Sequence, residues 1–327
     1  MGKVKQFELW RECNCKCTFC TLGDDNCKTP DEIKLKNMRD TYNEIRNYKA
    51  GEVDTVGFIG GEFFQGQLTD NHKIIFGIRW TFMDLMRLCN SLLNNEVIKN
   101  VWICASMLIG KQWDLWETLD IFRKSGNLDK VWVLTSWDAE GRFHNPKMVD
   151  TWIQNMRTLN WLYPEVKINT TTILTGSFID MYLDGSFNLD EFKARYNTTM
   201  FFKPPVKPDN MLHLTNEEIN KRIPNFFPTR KKFLQFLMTY KEREGEGAYD
   251  QLYSNDLRAD EIVKNYNEDD KRGLLFVRDK ENMSEHIDNL PDDENIQLLP
   301  CGHPKMFQSY VDSDECCVCD KKSYGNL

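Results

Sequence analysis

The chain carries no excess of positive charge: 42 Lys and Arg stand against 50 Asp and Glu, a formal net charge of −8. Proteins that grip duplex nucleic acid present a basic face, so duplex nucleic acid is not expected as a partner. No apolar run approaches the ~18 residues a membrane-spanning helix needs, which removes the bilayer as a partner. The opening MGKVKQFELWREC is charged within its first positions and reads as a strand rather than an export signal. A soluble, cytoplasmic protein is therefore expected. Gln6 stands where a myristoylation site wants Ser or Thr, so that anchor is not expected either. The chain also has no internal repeat and no low-complexity tract.

What is present suits a packed core. The 327 residues are 41% hydrophobic and 12% aromatic, enough for one large domain with an appendage. Apolar, β-rich runs occur at residues 5–10, 53–60, 101–107, 130–137, 166–174 and 199–206. Helix-type segments lie between them at 31–50, 76–95, 114–126, 145–162 and 188–197. Six strands with helical crossovers predict a parallel sheet of βα units, either a barrel or an open doubly wound sheet. In such folds ligands sit at the carboxyl ends of the strands. After about residue 210 the rhythm changes to charge-rich helices, then the acidic linker EHIDNLPDDENIQ and a short Cys-rich tail. The expected domains are 1–210, 211–295 and 296–327.

Eleven cysteines in a large chain without an export signal point to metal binding rather than disulfides. Eight of them fall in two clusters, at residues 13–20 and 301–319. Cys89 and Cys104 sit in apolar stretches and read as buried small hydrophobes; Cys27 has no assigned role. The first cluster, ECNCKCTFC, contains C-x3-C-x2-C as Cys13, Cys17 and Cys20, directly after the first strand. Three thiolates on one loop can cap three irons of a [4Fe–4S] cube and leave the fourth open to a ligand. All four thiols, Cys15 included, could instead close a tetrahedral zinc site. The second predicted strand ends in GFIGGEFF, with Gly60, Gly61 and Glu62 on the same edge of the sheet as the cysteines.

Together these two motifs resemble the radical S-adenosylmethionine (SAM) enzymes. Their CxxxCxxC loop follows strand one of a partial (βα)6, TIM-like barrel, and a GGE motif follows strand two. The resemblance covers roughly residues 5–206. It implies that Cys13, Cys17 and Cys20 hold a [4Fe–4S] cluster and that SAM chelates the open iron. It also implies reductive cleavage of SAM to a 5′-deoxyadenosyl radical that abstracts a hydrogen atom from a substrate. An electron donor such as a flavodoxin or ferredoxin comes with it. Phe19, the aromatic residue before the last cysteine, becomes a neighbour of bound SAM. Gly60 and Gly61 would let the methionine end approach closely, and Glu62 would meet its ammonium. Ser136 is the ribose candidate, with Asp138 behind it; Trp137 and the displaced Gly141 depart from the family pattern there. Asn169 is a candidate SAM contact on strand five. Lys203 faces either an anionic group or solvent. Nothing in the resemblance names the substrate, which stays open among small molecules, peptides and nucleotides.

The tail offers Cys301, His303, Cys316 and Cys319, a Cys3His set suited to zinc, with Cys317 as an alternative to Cys316. A segment so short needs a metal to hold its fold. A second iron–sulfur cluster is the rival occupant, since radical SAM enzymes often carry one in C-terminal extensions. The rival for the whole chain is a non-catalytic adaptor with a zinc knot at each end.

Overall fold

The computed structural model describes residues 3–13, 15–20, 29–64, 73–75, 78–80, 82–108, 113–138, 141–203, 205, 211, 214–252, 297–298 and 304–305. Six strands form one sheet: β1 (Val4–Glu8), β2 (Thr55–Ile59), β5 (Asn100–Cys104), β6 (Val131–Ser136), β7 (Lys167–Ile173) and β8 (Thr198–Lys203). They are ordered β1-β2-β5-β6-β7-β8, and every neighbouring pair is parallel. The crossovers carry α1 (Asp31–Ile45), α2 (Phe82–Asn94), α3 (Trp113–Arg123), α4 (Pro146–Leu162), α5 (Gly176–Leu183) and α6 (Leu189–Tyr196). This is the α/β architecture expected, with each strand's ends within three residues of their expected places.

Side chains alternate across each strand, and their burial alternates with them. On one face Val56, Phe58, Val101, Ile103, Val131, Val133 and Phe202 are fully or almost fully buried against the helices. On the other, Trp102, Cys104, Leu134, Ser136, Thr171 and Ile173 are only half-buried. That second face looks into open space.

Two features depart from the sequence expectation. Within the stretch expected to be helical from residue 76 lies β4 (Ile78–Trp80), paired antiparallel with β3 (Lys73–Ile75) ahead of it, and the helix starts at Phe82. Helix α5 was not anticipated; Thr175 caps it by accepting from Phe178 N–H. Beyond β8 come α7 (Asn216–Arg222), α8 (Arg230–Glu244) and α9 (Glu246–Gln251). Helix α8 shares the main core: Phe236, fully buried, packs against Phe178 and Phe202. Met211, Ile219, Ile223, Phe226 and Phe227 form a separate apolar cluster with Phe19. Far along the chain β9 (Gln297–Leu298) and β10 (Pro304–Lys305) form a short antiparallel pair. No helix among the described residues is long and apolar enough to cross a membrane.

Candidate functional site

A cavity of about 620 Å³ opens at the carboxyl ends of the strands. It takes Gln6 from β1, Ile59 from β2, Cys104 from β5, Ser136 from β6, Thr171 and Ile173 from β7, and Lys203 from β8. A flat six-stranded sheet would hold its edge strands about 24 Å apart, given ~4.8 Å per strand. One cavity touched from both edges therefore requires the sheet to curve around it. The cysteine loop, Gly60, Gly61 and Glu62 complete the lining.

Close backbone contact brings the two motifs together. Gly61 N–H donates to the Trp10 carbonyl (2.9 Å) and Glu62 N–H to that of Glu12 (3.0 Å), extending the β1–β2 pairing into the cysteine loop. A Cβ on Gly61 would lie 1.9 Å from the Glu12 carbonyl oxygen, and one on Gly60 2.2 Å from that of Trp10. Gly60 also has φ +150°, where a side chain is strained. These glycines thus make room for the protein's own cysteine loop, whereas the sequence suggested room for a ligand. Ion pairing of Lys34 with Glu12 fastens the same loop to α1.

Glu62 is buried, and its carboxylate is already engaged. One oxygen accepts from Phe64 N–H (2.9 Å) and the other from Ser106 N–H (2.7 Å), tying the end of β2 to the end of β5. Desolvation nevertheless pushes its pKa above the usual carboxylate range. A cation arriving in the cavity would relieve that penalty.

All four thiols of the loop line the cavity, Cys15 included. Cys15 is the most buried of them, and its N–H approaches Cys13 Sγ (3.4 Å). The Cys15 thiol hydrogen bond lowers Cys13 to about 7, against the effect of burial. Cys15 moves the other way, raised by that same bond and by burial. Burial lifts Cys17 to about 11. Among the described residues, no three His, Cys, Asp or Glu side chains converge on one point as ligands of a single ion would.

Arg142, which the sequence did not single out, organises this loop together with Asp138 and Gly141. Arg142 donates through Nε to Asp138 (2.6 Å) and through Nη1 to Cys17 Sγ (3.5 Å), and its guanidinium lies 5.4 Å from the Phe19 ring centre. Asp138, 1% exposed, also accepts from Ile173 N–H (2.8 Å). Burial works against the Arg142 charge, but Asp138 and Cys17 more than offset it, so its pKa rises. Gly141, at φ +78°, receives the loop from the other side: Thr18 N–H donates to its carbonyl (2.8 Å), and a Cβ there would fall 2.4 Å from the Phe19 ring. The sequence signals here were Asp138 and Gly141 at the strand end; nothing marked Arg142.

The expected site residues are distributed as follows. Cys13, Cys17, Cys20, Phe19, Gly60, Gly61, Glu62 and Ser136 all border the cavity. Phe19 is buried against Phe226, with ring centres 6.0 Å apart and nearly parallel. Ser136 has no side-chain hydrogen bond among the described residues. Asn169 is buried on the inward face but does not line the cavity; Thr171, one inward position further along β7, does. Asp138 is spent on Ile173 and Arg142, which makes it a positioning residue. Cys104, expected to be a core hydrophobe, faces the cavity; burial raises it to about 12 while nearby Lys203 pulls it down. Cys89 is buried in the core as expected. Cys27 and the tail set Cys301, His303, Cys316, Cys317 and Cys319 lie outside the described residues.

No protein-family model and no curated protein sequence matches this chain.

Proposed function

We propose that the protein is a radical SAM enzyme built on a partial (βα)6 barrel. The observation that carries this reading is convergence: C-x3-C-x2-C and Gly60-Gly61-Glu62, some forty residues apart in sequence, line one cavity, with Gly61 and Glu62 hydrogen-bonded to Trp10 and Glu12 just ahead of Cys13. The donor set fits the cofactor. A zinc ion needs four ligands about 2.1–2.3 Å from one point, whereas a [4Fe–4S] cube takes each thiolate at a separate corner. Cys13, Cys17 and Cys20 all line the cavity, so three thiolates on one loop could each take a corner and leave the fourth iron open.

Cys13, Cys17 and Cys20 would hold the cluster, with SAM at its open corner. When bound, this pair supplies one-electron reductive cleavage of SAM and hydrogen-atom abstraction from the substrate. The protein's part is binding and placement. Arg142 directs an N–H at Cys17 and so favours its thiolate form. Glu62 holds a buried carboxylate at the cavity wall, where the SAM ammonium would compensate its desolvation. Ser136 offers an uncommitted hydroxyl to a ribose. Phe19, Met211, Ile223 and Phe226 form an apolar cluster against which Cys17 packs.

One observation favours a second reading. The Cys15 thiol lines the same cavity and is hydrogen-bonded to Cys13, as a four-thiolate zinc adaptor would have it. Anaerobic reconstitution with iron and sulfide separates the two. The enzyme reading expects about four irons per chain, visible cluster absorbance, and an electron paramagnetic resonance signal of the reduced cluster that shifts on adding SAM. Zinc at two per chain, with no cluster signal, would support the adaptor.

A further inference from the structure

The half of the cavity away from the cysteine loop has its own chemistry. Trp102 on β5 is register partner of Gly57 on β2. A Cβ on Gly57 would fall 2.2–2.7 Å from three atoms of the Trp102 ring, so the indole lies directly across the glycine. One face of the ring is seated on the β2 backbone, and Trp102 lines the cavity. Among the described residues no other aromatic ring pairs with it. The half-buried indole borders the cavity and can offer a ring surface to a planar ligand there.

The charges in the cavity are unevenly matched. Asp138 and Arg142 form a pair, and Glu62 accepts two backbone N–H groups. Lys203, exposed at the rim on edge strand β8, has no carboxylate partner among the described residues. Across from it on the other edge strand stands Gln6, whose amide can donate and accept; Thr171 adds a hydroxyl between them. A wall that is flat and aromatic at one point and cationic at another selects for a ligand with both complements.

We propose that this compartment binds a small molecule carrying a planar ring and an anionic group, the ring stacked on Trp102 and the anion held by Lys203. This names a substrate class for the proposed enzyme and rests on that reading for the ligand's fate, though not for its binding. Two sources share the chemistry: a nucleoside phosphate, or an aromatic compound with a carboxylate.

Isothermal titration calorimetry on the reconstituted full chain, with and without SAM, tests it. Adenosine and cytidine 5′-monophosphates represent the first source, free tyrosine and tryptophan the second. Adenosine and ribose 5-phosphate each keep one feature only. At least one ring-bearing anion is expected to bind, with the single-feature probes for a phosphate ligand about tenfold weaker. Lys203→Gln, at an exposed position that leaves the fold intact, should weaken that probe about tenfold, and Trp102→Leu should do likewise. The proposal is overturned if no ring-bearing anion binds or if K203Q binds the probe like wild type. Equal affinity for ribose 5-phosphate, or simple competition between probe and SAM, overturns it too. Heat of binding is independent of turnover. Probe binding without reductive SAM cleavage would sink the enzyme reading and leave this site standing; SAM cleavage without probe binding would do the reverse.

Discussion

Gly61→Ala separates two physical accounts of the GGE motif. On the ligand-approach account, the methyl group intrudes on SAM, so affinity falls and the empty protein is unaffected. On the account given by the structure, the methyl group intrudes on the protein itself. Its Cβ would sit 1.9 Å from the Glu12 carbonyl oxygen, and the atom in the way is backbone, which cannot rotate aside. Restoring an ordinary contact of 3.4 Å requires the cysteine loop to move by roughly 1.5 Å relative to β2. Such a shift stretches the Gly61–Trp10 and Glu62–Glu12 hydrogen bonds, now 2.9 and 3.0 Å, beyond useful length. Two net backbone hydrogen bonds amount to ~2 kcal/mol, and residual strain brings the loss to ~3 kcal/mol. Urea unfolding of the metal-free protein should show that loss as a lower midpoint at unchanged slope. Iron incorporation should fall with it, because the thiols ride on the displaced loop. A G61A protein with wild-type stability and normal iron content, impaired only in SAM affinity, would refute the reasoning.

Other substitutions probe the surrounding supports. Asp138→Asn leaves the buried Arg142 guanidinium without its anion and should cost ~3 kcal/mol or more in denaturant unfolding, with reduced iron loading as a second readout. Glu62→Gln keeps the shape but replaces one of two acceptors with a donor, so the Ser106 or Phe64 N–H loses its partner; a loss of ~1–3 kcal/mol is expected from the same measurement. Phe236→Ala empties a fully buried site where α8 meets β8 and α5 and should cost ~3–5 kcal/mol in the main unfolding transition. If α8 belonged to an independent appendage, F236A would instead produce a separate early transition.

The parts of this fold legible in the sequence are those governed by local pattern. Apolar, β-branched runs such as VWVLTS and KINTTTI announce strands because their side chains alternate between a helix-packed face and an inner face. The misread stretch Ile78–Trp80 is too short to separate a strand from a buried helix by its pattern. Helix α8 carries Phe233, Phe236, Leu237 and Tyr240 at helical spacing, so its apolar stripe was visible, but its seat on β8 was a tertiary fact. The site divides the same way. Cysteine spacing and Gly-Gly-Glu are local and could be read directly. Which neighbour a glycine makes room for cannot be read, and the two glycines proved to face the protein's own carbonyls. Arg142 was invisible because its meaning lies in Cys17, 125 residues away, and Cys104 because one register position decides whether a strand thiol faces the core or the cavity.

The central claim is that three of the four crowded thiols, and not the fourth, support reductive cleavage of SAM. The most direct test measures 5′-deoxyadenosine released after reduction by wild type, Cys15→Ser and Cys17→Ser proteins reconstituted side by side. The account expects release from wild type and C15S and none from C17S. Release from none of the three, with zinc as the bound metal, would contradict it, as would equal loss in C15S and C17S.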